Sequence, residues 1–267
     1  MQIEITSGSI RFHEDGRIAG EYRVDDAFKP HFTRLLTPAG HNTVLVSPAD
    51  HPHHKGLMFA LRCADLNFWE EHGDPATIGR QEVLDTTRVD NGIRQTLLWR
   101  ALEGGRETYR EERHITGQLR DDGRAFLWKW HTRREALRDH ALIMSEWALK
   151  HPDGRLINYH GLGLRPPWMW RFPGAWAGAV EVDGRATEPL EACGATATSV
   201  GFWGLIDGAP RGTRAAVTIR QGHDFPWFVL KDDFPYLAVG PTIGAPKEVR
   251  AGDGFEECYE IEVEDRP

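Results

Sequence analysis

The stretch from Asp50 to Asp74, DHPHHKGLMFALRCADLNFWEEHGD, holds four of the chain's thirteen histidines and two adjacent glutamates. His51, His53 and His54 precede Lys55-Gly56, and Trp69, Glu70, Glu71 and His72 follow. Three imidazoles with Glu70 or Glu71 make the N/O donor set of a divalent metal, although the spacing matches no strong signature such as H-E-x-x-H. The same residues make an acid–base site, with His54 a base whose neutral form the adjacent Lys55 favours. Glu70 and Glu71, if both buried, repel each other, which favours keeping a proton on one of them for donation. A third reading is structural: histidines hydrogen-bonded where a loop enters a strand. In an extended chain His51 and His53 point one way and His54 the other, and Pro52 stiffens the segment. That arrangement speaks against convergence on an ion. No metal ligand is therefore assigned, and a divalent cofactor stays possible but not favoured.

Two more polar groups lie far along the chain. In RLINYHGLGLRPP (Arg155 to Pro167) a strand delivers Asn158 and His160 to one side, glycines at 161 and 163 permit close approach, and Arg165 follows. In RQGHDFPWFVLK, His223 and Asp224 occupy a loop before a strand carrying Trp227. The expected catalytic set is His54, Glu70, His160 and His223. The expected substrate-binding set is His53, Lys55, Trp69, His72, Asn158, Arg165 and Trp227. Sequence spacing leaves open whether the three groups meet.

Ten Trp and twelve Phe suit stacking on sugar rings, and a Trp beside a carboxylate, as in NFWEEHGD, is how sugar sites are often built. Large sheets also bury aromatics in their cores, so each single Trp reads both ways.

Composition removes several classes. A formal charge of −8 argues against a nucleic-acid groove. No apolar run is long enough to span a bilayer, and the N-terminus lacks the layout of a signal peptide. Cys63, Cys193 and Cys258 form no C-x-x-C pair, which fits a reducing cytoplasm. G-x-S-x-G, P-loop and G-x-G-x-x-G patterns are absent. A neutral or small polar substrate fits best, a small-molecule sugar above all.

The elements that must position these residues read as strands. Short runs such as QIEITS, RIAGEYRV, HNTVLV, GLMFALR, LIMSEWALK, PWFVLK and PYLAVG alternate or carry a β-branched and aromatic bias. Between many of the runs lie Asp-Gly or Asn-Gly pairs, which favour tight hairpins. In AFLWKWHTRR, Phe126, Trp128 and Trp130 share one face, and Lys129 and His131 the other. The best helical candidate is the short piece from Ala64 to Glu71. LRPPWMWRFPGAW (Leu164 to Trp176) reads as a loop packed over a sheet edge. The expectation is one all-β domain over residues 1–267, a large antiparallel β-sandwich.

KPHFTRLLTPAG (Lys29 to Gly40), DHPHHKGLMFA and LNFWEEHGDPATIGR together resemble the N-terminal half of the bacterial DUF6807, or PmoA-like, family. GLGLR, WGLID, GHDFPWFV and CYEIEVED extend the resemblance more loosely over nearly the whole chain. Its specific parts are H-H-[RK]-G, matched by His53, His54, Lys55 and Gly56, and F-W, matched by Phe68 and Trp69. Lys55 stands where arginine is common, and a lysine offers a point charge instead of a bidentate fork. The resemblance implies a soluble protein associated with sugar catabolism, with a β-sandwich similar to the galactose-mutarotase-like supersandwich of aldose epimerases and polysaccharide lyases. The favoured function is an enzyme doing epimerase- or lyase-like acid–base chemistry on a sugar or oxidised sugar. A non-catalytic sugar-binding sandwich is the alternative, distinguished by having no need of clustered histidines. A metal-dependent oxygenase, which the family label suggests, is a weaker one. The sequence is silent on which sugar and on oligomeric state.

Overall fold

The computed structural model describes residues 1–171, 178–242 and 244–266. Every pairing between strands there is antiparallel. Two large sheets dominate. The first has eight strands, in the spatial order Gln2–Ile5, Ser9–Glu14, Arg17–Arg23, His31–Leu35, Leu57–Ala60, Gly161–Leu164, Tyr236–Val239 and Trp227–Leu230. The second has nine, including Gly92–Ala101, Glu107–Leu119, Ala125–Ala136 and Gly254–Arg266.

The sheets pack face to face as the alternation dictates. Trp128 and Trp130 are buried while Lys129 between them is exposed. Trp128 lies edge-on to Phe12 (5.1 Å) and Phe32 (5.2 Å) of the first sheet, and Phe59 meets Trp99 of the second at 6.2 Å. This is the large antiparallel β-sandwich expected. Its core also holds charge. Glu111 and Arg113, both fully buried, pair at 2.7 Å, and Trp99, Thr132, Tyr22 and Gln81 complete their hydrogen bonds. Buried ions are tolerated when paired and bonded in this way.

Some local expectations are corrected. Ala64 to Glu71 is not helical, because Asn67 makes β-bridges to Arg62 and Ile78, and its side-chain Oδ1 accepts the N–H of Trp69 (2.9 Å) and Glu70 (3.1 Å). That side chain competes with helix hydrogen bonding. HNTVLV forms only isolated bridges, and LIMSEWALK breaks at Ser145, which turns back to bond the Trp147 N–H. RLINYH is a strand only at Leu156–Ile157. Of the Leu164–Trp176 segment, Trp168–Arg171 is a 3-10 turn, and 172–176 lies outside the described residues.

Candidate active site

Strand register decides which face of the first sheet can carry chemistry. His31, Met58, Gly163, Ala238 and Phe228 are directly paired across five strands and so share one face. Their neighbours Phe32, Leu57, Leu164, Leu237 and Val229 form the opposite row, and Phe32 packs on Trp128. The His31 face therefore looks away from the second sheet. Tyr236, two residues before Ala238, lies on that outward face.

Loops deliver the polar residues onto it. The Pro48–His51 and His51–His54 segments are consecutive turns, with His51 N–H to Pro48 O and His54 N–H to His51 O both at 3.0 Å. An extended segment would have splayed the imidazoles. The turns gather them instead: His54 lies 4.7 Å from His51 and 4.6 Å from His53, ring centre to ring centre. Gly56 then returns the chain to the sheet at φ +69°, where a Cβ would overlap the Phe32 carbonyl. Only glycine fits that approach.

Glu70 and Glu71 part company. Glu71 pairs with Lys29 at 3.0 Å and Lys55 at 3.1 Å, and Lys55 also reaches Asp26 at 3.3 Å. Lys29, fully buried, donates to the Trp69 carbonyl at 2.5 Å. Glu70 turns the other way, where its Oε1 accepts from Ser145 (3.1 Å) and Tyr159 (3.3 Å). Burial alone would raise the Glu70 pKa, but His160, Asn67 and Arg62 outweigh it and hold the carboxyl below its usual value. The proton expected from glutamate repulsion is therefore not on Glu70 at neutral pH.

Two hydrogen bonds set the histidine tautomers. Arg165 Nη1 donates to His54 Nδ1 at 3.3 Å, and a guanidinium can only donate. The Ser145 N–H donates to Asn158 Oδ1 (3.0 Å), so the Asn158 amide nitrogen faces His160 Nδ1 at 2.9 Å as the donor. Each imidazole thus carries its proton on Nε2. Burial, the neighbouring His53 and the Arg165 charge hold His54 well below the ordinary histidine range. Burial takes His160 down to about 4 against the opposing pull of Glu70, and burial with Lys29 takes His53 to about 3. All three are neutral at pH 7.

Around these rings several buried polar atoms have no hydrogen-bond partner among the described residues: His54 Nε2, His160 Nε2, Trp69 Nε1, Glu70 Oε2, Tyr236 Oη and both nitrogens of His53. The rings form one contiguous group. Tyr236 stacks on His54 at 4.5 Å, and Trp69 lies 5.2 Å from His160, 5.9 Å from Tyr236 and 6.2 Å from His54. Gly163 is its floor, since a Cβ there would overlap the Tyr236 hydroxyl and press on Trp69. A surface cavity of about 360 Å³, lined by Arg62, Asn67, Glu70, His72 and Glu146, adjoins it. No group of three or more His, Cys, Asp or Glu among the described residues is placed to hold a metal ion.

Residues 9–267 match DUF6807, described as a family of unknown function. The chain belongs to the DUF6807 family. Among solved structures it is similar to a galactose mutarotase-like protein from Clostridium acetobutylicum, at 9% identity and TM-score 0.46, covering 99% of this chain and 98% of that one. A polysaccharide lyase (9% identity, TM-score 0.38) and the GH36 α-galactosidase AgaB from Geobacillus stearothermophilus (7%, TM-score 0.41) align with 98% and 100% of this chain. The chain spans only 32% and 41% of those two proteins. No functionally curated protein matches it. No helix among the described residues is long and apolar enough to cross a membrane.

In this DUF6807 chain the structure brings together His53, His54, Trp69, Glu70, Asn158, His160 and Arg165. His72 is exposed at the rim, 6.2 Å from His53. Lys55 belongs to the ion-pair network with Glu71 and Asp26 beside the group. Two expected residues lie elsewhere. His223 stacks on Phe225 at 5.0 Å and lies 6.4 Å from Tyr259 of the second sheet, and no ring contact joins it to the group. Trp227 pairs with Val239, in the row shared with Leu162 and Phe59 that faces the second sheet. It is fully buried and donates to the Ala197 carbonyl at 2.9 Å. The sequence reading missed Tyr236, Tyr159, Ser145 and Lys29. Alternation in PWFVLK and PYLAVG carried a signal, because it puts Phe228 and Tyr236 on the face that Trp227 leaves.

Proposed function

We propose that this outward face is the active site of an enzyme that removes a C–H proton from a sugar, as an epimerase or a β-eliminating lyase does in its first step. One observation carries the reading: the concentration of unpartnered, buried polar atoms around His54, His160, Trp69, Glu70 and Tyr236. Each such atom costs about 1–3 kcal/mol when left unsatisfied, so a fold retains a group of them where a ligand supplies the partners. A polyhydroxylated ring does so, and the Trp69 and Tyr236 rings offer it apolar faces.

The roles follow from protonation. Glu70, ionised and with Oε2 unpartnered, takes the proton. Removing a proton next to a carbonyl or carboxylate leaves negative charge on oxygen. His54 and His160 present neutral Nε2–H donors to that charge, and the Trp69 Nε1–H and the Tyr236 hydroxyl, which burial keeps protonated, bring the polar hydrogens to four. Arg165 and Asn158 hold the two imidazoles in the required tautomer.

The test is incubation in D2O with a panel of aldoses, ketoses and hexuronates, read by proton NMR. Deuterium entering a C–H position, or a new unsaturated product, is expected with the native protein and is lost in Glu70→Gln. No exchange, elimination or binding with any member of the panel would contradict the proposal.

A further inference from the structure

The donors and acceptors of the site are unequal in number. His54 Nε2, His160 Nε2 and Trp69 Nε1 are fixed donors, the Tyr236 hydroxyl is available to donate, and neutral His53 adds one donor and one acceptor, whereas Glu70 Oε2 can only accept. A neutral sugar brings a hydrogen with every hydroxyl and needs acceptors for them. A carboxylate brings acceptor sites and no hydrogen.

One pair of these groups is stacked, and its two polar ends are taken together as a fork. The His54 and Tyr236 rings lie 4.5 Å apart and 27° from parallel, both fully buried, and both carry a polar end with no partner among the described residues. Behind His54 stands the buried Arg165 guanidinium at 3.3 Å, which also holds Asp50 at the rim at 3.2 Å. Glu70 is fixed on the His160 side, by Ser145 and Tyr159.

Resting on the sugar reading above, we infer that the substrate is a sugar acid whose carboxylate sits in the His54–Tyr236 fork. The sugar ring then lies over Trp69, and the carbon next to the carboxylate faces Glu70. Charge-assisted hydrogen bonds of this kind are about twice as strong as neutral ones. The fork therefore separates a hexuronate from the matching hexose, which carries a CH2OH group in place of the carboxylate.

Calorimetric titration of the full chain at pH 7 with glucuronate, galacturonate, glucose, galactose and acetate tests this. At least one hexuronate is expected to bind about 10-fold tighter than its hexose and than acetate. Tyr236→Phe should remove most of that preference. In the native protein, labelled for NMR, the His54 Nε2–H resonance should move on hexuronate addition, a readout that does not depend on the variant folding. Hexoses binding as tightly as hexuronates would overturn the inference and leave the sugar site standing. Acetate binding as tightly as a hexuronate would mark a general anion seat and also overturn it. If no sugar of either kind binds, the proposed function falls with it.

Discussion

Arg165 donates to Nδ1 of His54 at 3.3 Å, and this contact fixes which nitrogen of His54 carries the proton. His54 faces the site as a donor, so its contribution is to stabilise charge, with proton removal left to Glu70. Arg165→Met frees His54 to place its proton on either nitrogen. Turnover should fall by about 10²–10⁴-fold, the usual worth of a correctly protonated group in the transition state. Nitrogen-15 NMR should show a mixture of His54 tautomers. Unchanged turnover with an unchanged spectrum would remove Arg165 from this role.

Folding keeps His53 and His160 neutral, at pKa values of about 3 and about 4, against about 6.5 in the unfolded chain. Between these limits the unfolded chain binds protons that the native state refuses. Stability is therefore fullest above about pH 6.5 and declines as pH falls toward 4, each histidine adding a slope of about 1.4 kcal/mol per pH unit inside its window. Urea denaturation at pH 7 and pH 5 should show this loss. His160→Asn should lessen the slope, and equal slopes for the two proteins would show that His160 titrates normally.

Gly163 leaves the room that the Tyr236 hydroxyl and Trp69 ring occupy. Gly163→Ala should destabilise by about 1–3 kcal/mol through overpacking and abolish ligand binding by displacing Tyr236. Thermal melts and titration read the two effects separately. A variant as stable as the native chain that still binds would mean the floor is not tight.

Much of the fold was legible. Phe126, Trp128 and Trp130 on one face and Lys129 and His131 on the other already state a two-sided sheet. Gly56 carried a signal by residue type alone, because only a glycine takes its positive φ and clears the Phe32 carbonyl. The histidine geometry was not legible, because two successive turns override the alternation that an extended chain would have imposed. Nor was the separation of Glu70 from Glu71, which depends on Lys29 and Lys55 on one side and Ser145 and Tyr159 on the other. These partners lie from 16 to 89 residues away in sequence. Trp227 misled for a different reason: composition marks a Trp as a stacking platform, but register alone says which sheet face it serves.

Acid–base chemistry at Glu70 needs no bound ion. Dialysis against a chelator should leave melting temperature and turnover unchanged, whereas a resident metal would lower both on removal. Elemental analysis showing one equivalent of a tightly held transition metal per chain would contradict the account and return His51, His53 and His54 to the status of ligands.

If the outward face is a sugar site, a bound sugar satisfies its unpartnered atoms. The most direct measurement is a crystal structure of the protein soaked with whichever hexuronate or hexose raises its melting temperature most. Sugar oxygens are expected within hydrogen-bond distance of His54 Nε2, His160 Nε2 and Glu70 Oε2, with the ring against Trp69. A sugar bound away from this group, or no sugar bound at all, would contradict it.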